Sequence, residues 1–251
     1  MTEVVQAIHH GQQPSLSQRT SLMVFGSKPK KPKSIIPSDK RRISLLNADF
    51  KVVTGIYSNR LKSVATHTLS PCQLSAGNNR RIHHGINQAR DAIIAVGERG
   101  EGAGILDNDY QSAFDFMVLL WVFKVLEAKG LDKKVIESLK NIYSDNITII
   151  VVNTIPGRSV KNIRWSIRQG DRPSSVLFNY GIDPHLEWLY KRLKGITIYK
   201  SPAQGPLLQG QIRQLQPLEV REVYKVFGYI DDVKLSITCM NDFTIVEKDM
   251  N

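Results

Sequence analysis

The sequence contains little cysteine and no long apolar run. Its 251 residues include two cysteines, Cys72 and Cys239, and neither belongs to a Cys-x-x-Cys pair. A disulfide framework or a zinc knuckle is therefore not indicated, and we expect free thiols in a reducing compartment. No apolar stretch reaches the ~18 residues that a membrane helix needs, and the N-terminus has no apolar core of a signal peptide. These absences predict an intracellular protein, in the nucleus or the cytoplasm, without a membrane partner.

Acidic residues are outnumbered by basic ones. The chain has 34 Lys and Arg against 23 Asp and Glu, a net charge of +11. Residues 19–62 hold eleven Lys and Arg against two Asp, so an excess of nine positive charges lies in this segment. A basic segment in an otherwise near-neutral chain is typical of a protein with a polyanionic partner. A solubilising surface, or a nuclear-import signal in residues 28–33, would explain the same charges.

Two adjacent aspartates lie between two β-rich runs in residues 223–237. Runs of this kind around a two-residue turn are typical of a β-hairpin, which would place Asp231 and Asp232 at its tip. Paired carboxylates on rigid strands suit a divalent metal ion, because Mg²⁺ takes one or two protein carboxylates and fills its other positions with water and phosphate oxygens. The alternative is a surface turn, since Asp favours turns by itself.

The stretch Tyr229-Ile-Asp-Asp232 resembles the Tyr-x-Asp-Asp signature of reverse transcriptases. Upstream, Arg41 and residues 43–47 resemble the Trp-Arg-Pro-Ile-Ser-Leu-Leu-Asn motif in the fingers of non-LTR (LINE-type) retrotransposon enzymes, with Lys40 in place of Trp and Arg42 in place of Pro. The resemblance implies a cationic clamp on an incoming triphosphate. The candidate residues are Arg41 and one of Lys30, Lys31 or Lys33.

Three further stretches resemble the same family in the same order. Residues 69–82 are similar to its Ser-Pro-x-Gln stretch and the Gly-Arg-x-Ile that follows. This resemblance implies that Arg80 contacts the template. The resemblance of the Tyr-x-Asp-Asp motif implies that Tyr229 also contacts nucleic acid. Residues 109–115 resemble Asp-x-x-x-Ala-Phe-Asp, and the spacing to Phe114 selects Asp109 as the first catalytic aspartate. We expect Asp115 to cap the helix that follows.

Residues 168–179 resemble the family's Arg-Gln-Gly-x-Pro-x-Ser-x-x-Leu-Phe-Asn motif. The resemblance makes Gln169 and Gly170 nucleotide-binding residues, because a glycine turn at the start of a helix lets the backbone approach a nucleotide. Arg172 occupies the usual Pro position and could crowd that approach. Phe114 resembles the steric gate that excludes a ribose 2′-hydroxyl, although a core aromatic is the alternative.

The fold implied by the resemblance is α+β, with the fingers and palm of a right-hand polymerase and an antiparallel palm sheet backed by helices. We expect an unstructured leader over residues 1–18, fingers over 19–98 and a palm over 99–251, with part of the fingers between 130 and 170. The chain ends 19 residues after Asp232, so we expect it to be truncated before the thumb.

Local patterns add expectations about single elements. An apolar helix is predicted from Phe116 to Ala128, and a hairpin turn is predicted at Pro156-Gly157. Pro184 is expected to disturb the helix that ends near Lys194. Residues 201–218, rich in Pro, Gly and Gln, are expected to form a surface loop.

The function implied is RNA-directed DNA synthesis, in which a primer 3′-hydroxyl attacks a deoxynucleoside triphosphate. Asp109 and Asp231 would hold two Mg²⁺ ions, with Mn²⁺ possible, and Asp232 would support the site. The implied partners are an RNA template and a DNA primer. The alternative is a truncated, non-catalytic retrotransposon remnant that at most binds nucleic acid through its basic fingers.

Overall fold

The computed structural model describes residues 2–29, 32–36, 39–75, 77, 80–99, 103–110, 112–161, 166–200, 220–230 and 232–250. The helices are α1 (Thr2–His9), α2 (Leu16–Arg19), α3 (Ala48–Thr68), α4 (Ile82–Arg99), α5 (Ala113–Phe116), α6 (Leu119–Ala128), α7 (Lys133–Tyr143), α8 (Ser174–Arg192) and α9 (Met240–Met250). The strands are β1 (Thr20–Ser27), β2 (Lys40–Leu45), β3 (Gly104–Asp109), β4 (Ile147–Val152), β5 (Ile155–Lys161), β6 (Ile196–Lys200), β7 (Val220–Tyr224), β8 (Val226–Tyr229) and β9 (Asp232–Ile237). Within these ranges, no helix is long and apolar enough to cross a membrane.

The chain divides into two compact units. The first comprises Met1–Leu69, Ala76–Asn79 and Gln111–Pro184, and the second comprises Ser70–Ser75, Arg80–Tyr110 and His185–Asn251. Helix α8 contributes to both, because the boundary follows Pro184 within it. The helix runs through this proline without a break, so the expected disturbance of α8 does not occur in its secondary structure.

The first unit contains a four-stranded sheet in the order β2-β1-β4-β5. Strand β1 pairs antiparallel with β2 and parallel with β4, and β4 and β5 form an antiparallel hairpin. Helix α3 turns one face to the core, with apolar residues at the three- and four-residue spacings of a buried helical stripe. The buried residues of that stripe are Phe50, Val53, Tyr57, Leu61 and Ala65.

The second unit contains an antiparallel sheet in the order β3-β9-β8 and a separate β6–β7 pair. Helix α4 lies against this region and contributes the fully buried Ala92 to a cluster with Leu74, Tyr224 and Phe227. The antiparallel sheet with a helix packed on it agrees with the predicted palm sheet backed by helices. Cys72 and Cys239 are both free thiols, as expected.

The N-terminal prediction is wrong for most of its residues. The sequence predicted an unstructured leader over residues 1–18, and the structure contains α1 and part of α2 there. Ile8 of α1 is 1 % exposed, and α1 packs on α7. Ser15 caps α2 through a capping box with Gln18. A helix of two turns has too few apolar positions for its sequence pattern to predict it.

The predicted helix from Phe116 to Ala128 begins at Leu119 instead, as α6. Phe116 is the last residue of the separate helix α5, and residues 117–118 between the two helices are extended. The carbonyl oxygen of Phe114 accepts a hydrogen bond from the N–H of Ile167 at 2.9 Å. The donor to this oxygen is therefore a distant residue and not one in the next helical turn. Asp115 lies inside α5 and caps neither helix, which corrects its predicted role.

The predicted turn at Pro156-Gly157 also lies elsewhere. Both residues belong to β5, and the turn is formed by Asn153 and Thr154, whose φ angles are +49° and +67°. Two consecutive residues with positive φ match the twist of hairpin strands, and Asn adopts that conformation more readily than most residues. The predicted loop over residues 201–218 lies outside the described residues.

Candidate functional site

Asp109 and Asp232 lie directly opposite each other in the sheet of the second unit. Asp109 is the last residue of β3, Asp232 is the first residue of β9, and the two are register partners. Directly opposed residues of an antiparallel pair project from the same face, and both of these carboxylates are exposed. Like charges in this position repel, and a bound cation would remove the repulsion. The pair therefore fits a divalent metal ion.

Asp107 occupies the same face of β3 but has a different partner. Its carboxylate lies 2.6 Å from the Nζ atom of Lys234, its register partner on β9. This ion pair occupies Asp107, whereas Asp109 faces a second carboxylate. The two aspartates thus differ in their partners on β9, and the choice of Asp109 as the candidate ligand stays a prediction.

The turn between β8 and β9 differs from its prediction by one residue. Tyr229 pairs with Asp232, so two residues separate the strands and Asp232 begins β9, whereas both aspartates were predicted to lie at the tip. Asp231, predicted to be the second metal ligand, lies outside the described residues. The described part of the chain shows this pair of carboxylates and no group of three or more metal-binding side chains.

The end of β3 is fixed by the residue that follows Asp109. The hydroxyl of Tyr110 lies 2.7 Å from Nε2 of His185, and either atom can donate, depending on the histidine tautomer. Both residues belong to the second unit. Neither was singled out in the sequence, since their separation of 75 residues leaves no local pattern.

Arg80 bonds to backbone atoms of its own unit. Its Nη1 atom donates to the carbonyl oxygens of Ser70 at 2.6 Å and Gln73 at 2.7 Å. These contacts hold the 70–75 segment in place. The template contact predicted for Arg80 stays a prediction.

In the first unit, the turn at Gln169-Gly170 lies against β2. The carbonyl oxygen of Gln169 accepts a hydrogen bond from the N–H of Ser44 at 2.7 Å. Gly170 has a φ of +104°, and a Cβ atom there would lie 2.6 Å from the carbonyl oxygen of Ser44. Only glycine satisfies both the conformation and the close approach. The motif therefore has a structural reason for its glycine besides the predicted nucleotide contact.

A buried ionic network flanks this turn. The Nη2 atom of Arg168 lies 3.4 Å from Oδ2 of Asp171, and the hydroxyl of Tyr143 donates to the same oxygen at 3.1 Å. Burial, followed by the charge of Asp171, raises the pKa of Tyr143 well above its ordinary value. Tyr143 therefore keeps its proton and remains a donor, which helps to fix both ends of the Gln169-Gly170 turn.

Arg172, which replaces the usual proline, lies along α3. A Cβ atom at Gly55 would be 2.6 Å from Nη1 of Arg172, so the guanidinium occupies the space that this glycine leaves. The carbonyl oxygen of Arg172 accepts a hydrogen bond from the hydroxyl of Ser58 at 2.9 Å. The side chain is thus accommodated by a small residue on α3.

Phe114 stacks on a buried aromatic residue of the same unit. Its ring lies 4.8 Å from that of Phe178, with an interplanar angle of 22°. Phe178 is 1 % exposed, whereas Phe114 is half-buried. This contact supports the core-aromatic alternative for one face of the ring, and the steric-gate role stays a prediction.

The cationic clamp is described only in part. Arg41 is exposed on β2, opposite Gly26 of β1. Its neighbour Arg42 pairs with Asp115 at 3.2 Å. Burial raises the pKa of Asp115, and the charges of Arg42 and Lys28 oppose that rise. Of the three lysine candidates, only Lys33 belongs to the described residues. Lys30 and Lys31 lie outside them.

Comparison with known proteins finds a protein family whose sequence model matches the chain and a protein with a similar sequence. A sequence model described as reverse transcriptase (RNA-dependent DNA polymerase) matches residues 28–246. A transposon TX1 uncharacterized 149 kDa protein from Xenopus laevis is 28 % identical over 201 residues, which are 78 % of this chain and 15 % of that protein. The transposon relative agrees with the expected origin in a non-LTR (LINE-type) retrotransposon.

The solved structures that resemble the chain include telomerases. Telomerase from Candida albicans, in complex with a fragment of telomeric RNA, has a TM-score of 0.56 at 12 % identity, covering 98 % of this chain and 42 % of that one. Telomerase from Candida tropicalis, in a similar complex, has a TM-score of 0.56 at 8 % identity, covering 100 % and 41 %. At these identities the likeness concerns the fold, and it agrees with the predicted fingers and palm. The family match over residues 28–246 shows that the chain belongs to the reverse transcriptases, the RNA-dependent DNA polymerases.

Proposed function

We propose that this chain carries the nucleotidyl-transfer centre of an RNA-directed DNA polymerase. The observation that carries the proposal is the register pairing of Asp109 with Asp232, which brings together two carboxylates from motifs 123 residues apart. The chain spans 15 % of its transposon relative and less than half of the telomerase chains. Activity, substrates and partners are therefore all part of the proposal, as is an intracellular location in the nucleus or cytoplasm.

Asp109 and Asp231 are the proposed ligands of divalent ions, Mg²⁺ or Mn²⁺, and Asp232 supports the site from its edge. Bound ions would lower the pKa of a primer 3′-hydroxyl and neutralise charge on the leaving pyrophosphate. Asp109 is held at the end of a paired strand, and Asp232 at the start of another. Carboxylates fixed in this way need little reorganisation when the reaction begins.

Substrate-binding roles are part of the same proposal. We assign triphosphate binding to Arg41 and Lys31, and deoxynucleotide binding to Gln169, Gly170 and Phe114. Template and primer strands would contact Arg80 and Tyr229. The exposed position of Arg41 and the glycine-dependent turn at residue 170 support the first two assignments.

Primer extension on an RNA template tests the proposal. Asp109→Asn should reduce incorporation of deoxynucleotides on the order of 100-fold or more, since even indirect partners of a metal contribute 10- to 100-fold. Asp107→Asn is the matched control, because Asp107 lies two residues away on the same strand and pairs with Lys234. Equal activity of wild type and Asp109→Asn would remove the polymerase assignment, and so would an equal loss in Asp107→Asn.

The gate is tested separately. Phe114→Ala should admit ribonucleotides, because an apolar ring at that place would exclude the 2′-hydroxyl. The measurement is the ratio of ribonucleotide to deoxynucleotide incorporation. An unchanged ratio would leave Phe114 with the packing role that its contact with Phe178 already shows.

A nucleic-acid binder without turnover is the second candidate. Exposed cationic residues on edge strands favour it: Arg41 on β2, and Arg158 and Lys161 on β5. Salt-dependent RNA binding by a wild-type protein that extends no primer would select this candidate.

A further inference from the structure

The segment Ser70–Ser75 runs beside the strand that leads into the Tyr229-Ile-Asp-Asp232 turn. The N–H of Gly228 donates to the carbonyl oxygen of Cys72 at 2.8 Å, and the N–H of Leu74 donates to the carbonyl oxygen of Gly228 at 2.7 Å. Gln73 and Gly228 form a parallel bridge. These residues belong to the second unit, so the segment adds a short, fixed edge to β8.

Side chains extend this contact to the turn itself. The backbone N–H of Ile230 donates to Oγ of Ser75 at 3.2 Å. The hydroxyl of Ser75 donates in turn to Oε1 of Gln73 at 2.8 Å. The backbone N–H of Ser75 also points at this atom, at 3.4 Å. An N–H can only donate, so the amide oxygen of Gln73 must face Ser75.

Ile230 needs such a contact because of its backbone conformation. Its φ is +58°, in the left-handed region. A β-branched residue rarely adopts this conformation, and it persists only when surrounding contacts fix it. Ser75 supplies one of those contacts, at the residue immediately before Asp231.

The side-chain amide of Gln73 is buried with only one of its two polar atoms hydrogen-bonded among the described residues. It is 0 % exposed, and its Nε2 atom has no hydrogen-bond partner among the described residues. A buried donor without a partner is unfavourable. The oxygen of the same amide holds Ser75, and Arg80 binds the carbonyl oxygens of Ser70 and Gln73. The segment is thus fixed along its length.

We propose that Ser75 is a positioning residue for the metal-binding turn, held in place by Gln73 and Arg80. The hydroxyl binds the N–H of Ile230 and thereby fixes the backbone of the residue that precedes Asp231 in the sequence. This inference rests on the proposed function, because it gives the turn a metal site to position. Ser75 touches no substrate in this scheme and acts only through the turn.

Two readouts that need no turnover test the proposal in Ser75→Ala and Ser75→Thr. The first is the hydrogen exchange of the Ile230 amide, measured by NMR. Loss of one hydrogen bond corresponds to about 2- to 10-fold faster exchange. We expect this acceleration in Ser75→Ala and its reversal in Ser75→Thr, which keeps the hydroxyl.

The second readout is the Mn²⁺ dissociation constant, measured from the loss of the free-ion electron paramagnetic resonance signal. We expect Ser75→Ala to weaken binding by about 10-fold, within the usual range for groups that orient ligands, and Ser75→Thr to restore it. Ser236→Ala is the matched control: it removes a buried hydroxyl on β9 that has no hydrogen-bond partner among the described residues. It should leave both readouts unchanged.

Ile230→Gly sharpens the test, because glycine adopts positive φ without strain. On that background Ser75→Ala should have a smaller effect on Mn²⁺ binding than it has alone. Unchanged exchange or unchanged affinity in Ser75→Ala would overturn the proposal, as would a failure of threonine to restore them or a wild-type protein that binds no Mn²⁺. Primer extension reports separately: Mn²⁺ binding without extension would reject the proposed function and leave the positioning role standing.

Discussion

The two hairpins β4–β5 and β8–β9 reach positive φ at their turns by different means. In β4–β5 the turn residues are Asn153 and Thr154, and every residue of β5 is exposed. In β8–β9 the turn begins with Ile230, between strands whose residues are mostly buried. The first turn contains one residue that favours positive φ, Asn153, beside the less favourable Thr154, whereas the second receives a tertiary contact from Ser75. A turn can thus keep an unfavourable residue when a contact from a distant residue fixes its backbone.

The largest expected difference between the two hairpins is in catalysis. Asp232→Asn on β9 should reduce primer extension on the order of 100-fold, by the argument given for Asp109. Arg158→Gln on β5 should change extension by only a few-fold and lower the slope of RNA binding against salt by about 1. Comparable losses of extension in both variants would contradict the assignment of the site to the β8–β9 hairpin instead of the β4–β5 hairpin.

Stability should also respond differently in the two hairpins. A Cβ atom at Gly228 would lie 2.7 Å from Cδ1 of the buried Leu186, so Gly228→Ala should lower the free energy of unfolding by about 1–3 kcal/mol. At Gly157 on β5 the nearest atom would be 3.3 Å away, and Gly157→Ala should change it by less than about 0.5 kcal/mol. Denaturant titration of both variants measures the difference, and equal effects would show that β8 is not tightly packed at this point.

Asp242 stabilises the chain directly after β9, at the end of the hairpin opposite its turn. Its carboxylate accepts hydrogen bonds from the N–H of Lys194 and from the N–H and hydroxyl of Thr238. Burial by itself would raise the pKa of Asp242, but these hydrogen bonds outweigh it and lower the pKa below its ordinary value. Asp242→Ala should cost about 1 kcal/mol at pH 7.

The pH dependence of that cost has a definite sign. A carboxyl whose pKa is lowered by folding stabilises the protein fully above its unfolded pKa of about 3.9 and loses this contribution as pH falls through the folded value. The difference in unfolding free energy between wild type and Asp242→Ala should therefore shrink below about pH 4. A difference that stays constant down to pH 2 would show that the carboxylate charge is not involved.

A small gain in stability is expected from a change in the turn of β4–β5. Thr154→Gly places glycine at a φ of +67° after Asn153 and creates the favoured Asn-Gly turn. We expect a gain of about 0.5–1 kcal/mol in the free energy of unfolding, since positive φ costs a residue with a Cβ about 1–2 kcal/mol and glycine loses part of the gain through entropy. A loss of stability in denaturant titration would show that the threonine side chain contributes more than its strain.

Sequence patterns predicted the parts of the structure that depend on short motifs. The spacing between Asp109 and Phe114 selected the aspartate that the register places opposite Asp232. The adjacent aspartates predicted a hairpin, and β8–β9 is one. These motifs are local, so their residue types carry the information directly.

Features that depend on distant partners could not be predicted in this way. The bond between Ser75 and Ile230 joins residues 155 positions apart. Near the break between α5 and α6, the carbonyl oxygen of Phe114 accepts a hydrogen bond from Ile167, which is also distant in the sequence. The ion pair between Asp107 and Lys234 likewise depends on the register of β3 against β9, which the sequence does not reveal.

The exposed strand β5 has a consequence for association between copies of the chain. A free sheet edge offers unpaired backbone groups to any other extended strand and so invites aggregation. Strand β5 lies at the end of its sheet, and it carries Pro156, Arg158 and Lys161. Proline removes a backbone donor, and like charges on two such strands repel each other. These three residues let the protein keep an uncovered edge while resisting strand exchange with its neighbours.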